Sequence, residues 1–331
     1  MKKTLEYNRE LLAKVKPAMS YCGENYEEWK IEARKKLSEL LGLDKLSLVD
    51  TDLDIEYETE LEDSIEIRFT YQSEEGYRVP AHFFVPKGVK NPPLMICLQG
   101  HTTGMHISFG RPKHEGDAED LKGGDRDFSV RALKEGFATI AFEQRSMGEV
   151  YIRDGRMCFL ASTTSLLLGR TTIGERVWDV MRLIDVIEKH FADKVNINKI
   201  CLMGNSGGGT ATAYTAALED RIALAMPSCA MCTYKDSIGA MFHCACNYVP
   251  DIVNWFDMND LLSMAFPKSY IQINGKEDPI FPLEGAKEVF SKGKKVYEEN
   301  GCGEKCVMII GKGGHRFFAD DAWPIVHKLL G

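Results

Sequence analysis

Lys199-Ile200-Cys201-Leu202-Met203-Gly204-Asn205-Ser206-Gly207-Gly208-Gly209-Thr210-Ala211-Thr212-Ala213 decides how the rest of the chain is read. A short apolar run ends on a glycine, a serine follows, and a helical pattern rich in alanine and threonine begins after three more glycines. This is G-x-S-x-G between a strand and a helix, the setting in which the motif has a mechanical meaning. The sharp turn strains the backbone at the serine, so Gly204 and Gly208 must lack bulky side chains. Ser206 is thereby lifted above the sheet as a candidate nucleophile, with the N-terminus of the next helix facing any developing negative charge. A glycine turn without chemistry and a phosphate cradle are the plainer readings. Nucleotide binding fits poorly, because no G-K-[ST] lysine is present and the glycines do not follow the first strand of a dinucleotide fold.

Working outward, short apolar runs alternate with longer helical patterns, the signature of βαβ units and a largely parallel sheet. The runs are Leu94 to Leu98, Ala138 to Phe142, Ile200 to Gly204, Ala223 to Pro227, Tyr270 to Asn274 and Val307 to Ile310. Helical patterns cover Gly174 to Phe191, Gly207 to Ala217, Leu283 to Asn300 and Ala319 to Leu330. Before them, Ile65 to Phe69 alternates with period two and Tyr77 to Val85 follows after the Glu75-Gly76 turn, which predicts an antiparallel pair opening the sheet. Residues 1–48 look helical and amphipathic, with Trp29, Ile31, Ala33, Leu37, Leu40 and Leu41 on a buried stripe that Gly42 ends. The expected layout is an N-terminal helical extension, 1–48, and an α/β catalytic domain, 49–331. Connections of about 101–127, 146–170 and 228–266 are too long for simple crossovers and are expected as lid-like walls beyond the carboxyl ends of the strands.

With 331 residues, the chain can bury a substantial core as one unit. A net charge of −8 provides no basic field for phosphates, so no nucleic-acid partner is expected. No apolar run approaches the roughly 20 residues needed to span a bilayer, so no membrane partner is expected either. Met1-Lys2-Lys3-Thr4 leads into a polar helix pattern with no apolar segment behind the lysines, which predicts a cytoplasmic chain. Ten scattered cysteines suit that compartment as small buried hydrophobes.

An acid and a base should follow the serine in that order. Asp278 lies just past the strand end and glycine turn of Ile273-Asn274-Gly275-Lys276-Glu277-Asp278, where it can orient a histidine. Glu277 is its competitor, and a helix-capping role is the bland alternative. His315, in the loop Gly311-Lys312-Gly313-Gly314-His315, has a position from which a base reaches a serine. His327 falls inside a helix pattern. The oxyanion hole is expected from the backbone N–H groups of Gly207 and His101, the latter after Gln99-Gly100. His101, His106 and His114 have irregular spacing for a metal, and Cys229, Cys232, Cys244 and Cys246 read as buried thiols in an apolar wall. No cofactor and no metal are expected.

These motifs resemble the acetyl-xylan-esterase-like branch of the α/β-hydrolases, close to bacterial hydrolases with an N-terminal helical extension. The resemblance includes Tyr77 to Pro86, Leu168-Gly169-Arg170-Thr171-Thr172-Ile173-Gly174 leading to Val177-Trp178-Asp179-Val180, and His243-Cys244-Ala245-Cys246-Asn247-Tyr248-Val249-Pro250. It implies an α/β-hydrolase fold, a mostly parallel central sheet flanked by helices, no cofactor, and deacylation of small acyl esters, often on sugars. Gln99-Gly100-His101 departs from relatives that place histidine before the glycine. The expected activity is therefore serine esterase chemistry on a small-molecule or carbohydrate ester. A peptidase of the same fold and a non-catalytic binding protein are the rivals; the segment before Leu94 is too short for the propeller many peptidase relatives carry. Met241, Phe242, Trp255 and Phe256 fit a lid over the leaving group or ordinary packing equally well. The N-terminal helices can serve a homo-oligomer interface as readily as they cover the sheet.

Overall fold

Successive side chains of a strand point to opposite faces, and the apolar runs of this chain fill both. The computed structural model describes residues 2–152 and 158–331; Met1 and residues 153–157, within the expected 146–170 wall, lie outside the described residues. Nine strands form one sheet: β1 (Asp54–Glu60), β2 (Ser64–Glu74), β3 (Tyr77–Pro86), β4 (Pro93–Leu98), β5 (Ala138–Phe142), β6 (Asn196–Asn205), β7 (Ile222–Ser228), β8 (Ser269–Gly275) and β9 (Cys306–Gly311). Their order is β1-β2-β3-β5-β4-β6-β7-β8-β9. The first three strands and the β3–β5 pair are antiparallel, and every pairing from β5 to β9 is parallel. The expected antiparallel opening pair is β2 and β3. To it β1 adds an exposed, charge-rich edge that discourages further pairing.

In β4, Leu94, Ile96 and Leu98 join the core on one face while Met95 and Cys97 join the other. In β6, Ile200 and Leu202 divide from Cys201 and Met203 in the same way. The first face is covered by helices Tyr26–Leu41, Thr172–His190, Gly207–Leu218, Met258–Ala265 and Leu283–Glu299, the second by Phe128–Lys134 and Ala319–Leu330. Trp29, Ala33, Leu37 and Leu41 form the buried stripe of the N-terminal helix, four residues apart. Ile31 does not belong to it: its side chain is 65% exposed. At 100° per residue it stands about 200° from Trp29, on the solvent side. Leu40 is only half-buried.

Register aligns the carboxyl ends. Leu98 pairs with Gly204, Asn205 with Ser228, Ser228 with Ile273, and Gly275 with Gly311. The loops that leave β4, β6, β8 and β9 therefore open on one edge of the sheet, where ligands of open α/β sheets are held.

Candidate active site

At the end of β6 the chain turns through Ser206 with φ 57° and ψ −122°, and helix Gly207–Leu218 starts at the next residue. Positive φ at a non-glycine residue costs of order 1–3 kcal/mol and persists only where the surroundings over-determine it. They do so here. The Ser206 N–H donates to Ser228 O at 2.9 Å, and Ser206 O accepts from Thr210 N at 2.8 Å. A Cβ on Gly204 would run into the backbone of Gly208, and one on Gly208 into Leu98 and Gln99. A Cβ on Gly100 would lie 2.7 Å from Asn205 O, so the loop after β4 rests directly on the turn. As the first helical residue, Gly207 has an N–H with no acceptor inside its helix.

The loops after β8 and β9 are zipped together by Lys276 N–H to Gly311 O (2.9 Å) and Glu277 N–H to Gly313 O (2.8 Å). This brings Asp278 Oδ2 to 2.8 Å from His315 Nδ1. The Asp278 side chain is fully buried, and its Oδ1 accepts from the backbone N–H groups of Ile280 (2.8 Å) and Phe281 (3.1 Å). Burial pushes the Asp278 carboxyl up, but the hydrogen bond and charge of His315, with those two N–H groups, outweigh it and hold the acid below the usual carboxylate range. The Phe281 ring stacks on His315 at 5.9 Å between centroids and meets His243 edge-on at 5.3 Å. Cys229, whose thiol burial raises to about 12, completes the wall behind Asp278 and donates to Arg316 O at 3.2 Å.

Ser206, His315, His101, His243, Cys244, Asn247, Phe281 and Arg126 line one pocket of about 270 Å³, with Phe242 at its mouth. A groove of about 540 Å³ between the N-terminal segment and residues 253–295 shares none of these residues. The His101 ring passes over Gly207, where a Cβ would sit 3.0 Å from its Cε1. Its Nε2 faces Cys246 Sγ at 3.2 Å and Cys158 Sγ at 3.5 Å. Burial lowers the His101 pKa, but hydrogen bonds to Cys158 and Cys244 prevail and raise it to about 9.

The architecture superposes on a "putative acetyl xylan esterase" from Bacteroides fragilis with a TM-score of 0.77 at 13% identity, over 94% of this chain and 82% of that one. This chain has the α/β-hydrolase fold. The same fold is shared with a glucuronoyl esterase from Solibacter usitatus, TM-score 0.68 at 13% identity, covering 96% and 98% of the two chains. In sequence, the chain is 25% identical over 289 residues to the "Putative hydrolase YtaP" of Bacillus subtilis (strain 168), spanning 86% of this chain and 93% of that protein. Residues 124–233, which include Ser206, match the family model described as "Glucuronyl esterase, fungi".

Within this fold, Ser206 and His315 line one pocket and Asp278 holds His315, with His101 and Gly207 beside the serine. Glu277 is exposed, and His327 pairs with Glu135 at 2.7 Å on the far helix. His106 is held by Asp117 (2.9 Å) with its ring 5.5 Å from His114, so the three histidines read together in the sequence are split. The four-cysteine grouping is split too: Cys229 sits by Asp278 and Cys232 by Pro282 O, while Cys244 and Cys246 meet His101 and Cys158. Of the expected lid, Phe242 is 90% exposed at the pocket mouth, whereas Phe256 is core. Arg126, His243, Asn247 and Cys158 carry no short-range signal of their own; only the His243 to Asn247 stretch stood out, as part of the resemblance.

No described helix is long and apolar enough to cross a membrane.

Proposed function

We propose that this chain is a serine carboxylic-ester hydrolase that deacylates small acyl esters such as acetylated carbohydrates. The observation that carries this reading is the fully buried Asp278 bound to His315 at 2.8 Å, with Ser206 on a strained turn in the same pocket. His315 removes the proton of the Ser206 hydroxyl as its Oγ attacks the ester carbonyl. The N–H groups of Gly207 and His101 stabilise the tetrahedral oxyanion, and loss of one such donor costs about 10² to 10³ in rate. Protonated His315 then passes its proton to the leaving alcohol, and water deacylates Ser206 by the same route. Asp278 accepts from His315 Nδ1–H and so keeps the tautomer whose Nε2 is unprotonated and free to take the serine proton.

The pocket of about 270 Å³ suits a short acyl group rather than a long chain. A second reading, hydrolysis of an ester of a uronic acid, is favoured by Arg126 on the pocket wall and by the glucuronyl esterase match across residues 124–233. A panel of p-nitrophenyl esters, acetylated sugars, methyl glucuronate and aminoacyl amides separates these readings. Acetyl esters should be cleaved fastest, amides not detectably, and Ser206→Ala should remove activity at least about 10³-fold. Full activity in Ser206→Ala contradicts the reading.

A further inference from the structure

Outside the proposed chemistry, the described residues hold a group of soft ligands beside the nucleophile turn, where the His101 ring passes over Gly207. His101 Nε2 and the Sγ atoms of Cys158, Cys244 and Cys246 all lie within 4.8 Å of one another. They come from three stretches of chain: the loop after β4, the residue before helix Phe159–Leu167, and the Cys244-Ala245-Cys246 segment of the 228–266 connection. We propose that these four residues form a tetrahedral site for a divalent zinc-class ion.

Geometry, chemistry and access agree. A tetrahedral ion with bonds of about 2.3 Å to sulfur and 2.0–2.1 Å to imidazole needs N···S edges near ~3.5 Å and S···S edges near ~3.8 Å. The His101 Nε2 separations from Cys246 and Cys158 are 3.2 and 3.5 Å, and the remaining pairs lie within 4.8 Å, so ligand closure requires shifts of at most about 1 Å. Three thiolates and an imidazole at tetrahedral corners select zinc over hard cations such as magnesium or calcium. Each ligating thiol releases its proton, so the ion with three thiolates carries a net charge of −1. Arg176 supplies the balancing cation. It is 0% exposed, and its hydrogen-bond partners among the described residues are the Arg145 carbonyl and the sulfurs of Cys246 and Cys158, each at 3.4 Å. A buried guanidinium given to sulfur rather than to a carboxylate is costly among neutral thiols and favourable beside thiolates held by a metal. His101 and Cys244 line the Ser206 pocket, which is the entry path for the ion.

The four corners leave no open coordination position, so the ion is structural. Where the hydrolase reading above also holds, it anchors the loop that presents the His101 N–H to the oxyanion. The metal assignment itself does not need Ser206 to be a nucleophile, and its test is read without activity. Elemental analysis of the full chain after extensive dialysis should find about one zinc per chain, retained in Cys22→Ser and lost in Cys244→Ser and Cys246→Ser. Because those variants can misfold, chelator-treated wild-type chain is also titrated with Co²⁺. One equivalent should give intense tetrahedral d–d absorption and a sulfur-to-cobalt charge-transfer band, both displaced by zinc and shifted in His101→Gln. Absence of zinc together with no saturable tetrahedral cobalt spectrum overturns the proposal, as does a disulfide between any two of Cys158, Cys244 and Cys246 in the protein as isolated.

Discussion

Asp278 and Glu277 are neighbours with the same chemistry and opposite fates. Glu277 faces solvent, while Asp278 is buried against two backbone N–H groups and His315. Its depressed pKa has a definite sign: a carboxyl whose folded value lies below the unfolded one near 3.9 contributes stability that is present above that value and lost as pH falls through the folded value. Asp278 is therefore ionised throughout the range in which esters are assayed, and its removal should act through orientation of His315. Asp278→Asn should lower kcat by about 10⁴ with the fold retained, measured on an acetyl ester alongside circular dichroism. A loss of less than tenfold would mean that the pair is structural only. At this scale Ser206, Asp278 and His315 were legible because glycines and strand ends punctuate each of them locally. Cys158 was not, since its contact with His101 spans 57 residues and that of Cys246 spans 145.

Elements were legible wherever a strand carries a continuous apolar run. The runs at β4, β5, β7, β8 and β9 match the structure within a residue or so at either end. β6 begins four residues earlier than its apolar run, because Asn196 pairs with Pro93 before a register shift after which pairing resumes at Ile200, leaving Ile197 and Asn198 exposed. Hidden from any one-dimensional pattern is the ionic clamp that holds the β5 exit onto helix Thr172–His190. Arg145 contacts both oxygens of Asp179 at 2.9 Å and reaches Glu74 at 2.6 Å, while its guanidinium lies 4.3 Å over the Tyr77 ring. Asp179, with no exposed surface, also accepts from Ser73 Oγ. Removing one partner of such a buried pair costs about 3–5 kcal/mol. Glu74 remains to hold Arg145, so Asp179→Asn should lose close to about 3 kcal/mol in urea unfolding, and a loss under about 1 kcal/mol contradicts the clamp.

For the whole molecule, the largely parallel sheet and its shared carboxyl edge follow from the βαβ alternation, whereas the exchange of β4 and β5 in the strand order does not. The N-terminal segment is bound into the same core. Trp29 donates its indole N–H to Met19 O at 2.9 Å, and Arg34 grips Asp220 with two bonds of 2.9 and 2.7 Å at the end of helix Gly207–Leu218. That packing places the segment behind the helix whose N-terminus faces the pocket, a relation that amphipathicity alone leaves open between sheet cover and interface. The pocket walls depend on the long connections, whose apolar residues have no period to read, and there Arg126 and the approach of Cys158 to His101 escaped notice. On the proposed function, this architecture serves one reactive hydroxyl, that of Ser206. The most direct test of that function is exposure of the full chain to a fluorophosphonate, followed by peptide mapping by mass spectrometry. One adduct per chain is expected, on Ser206, absent from Ser206→Ala and slowed in Asp278→Asn. An active, folded chain that takes no label, or takes it on a different residue, would contradict it.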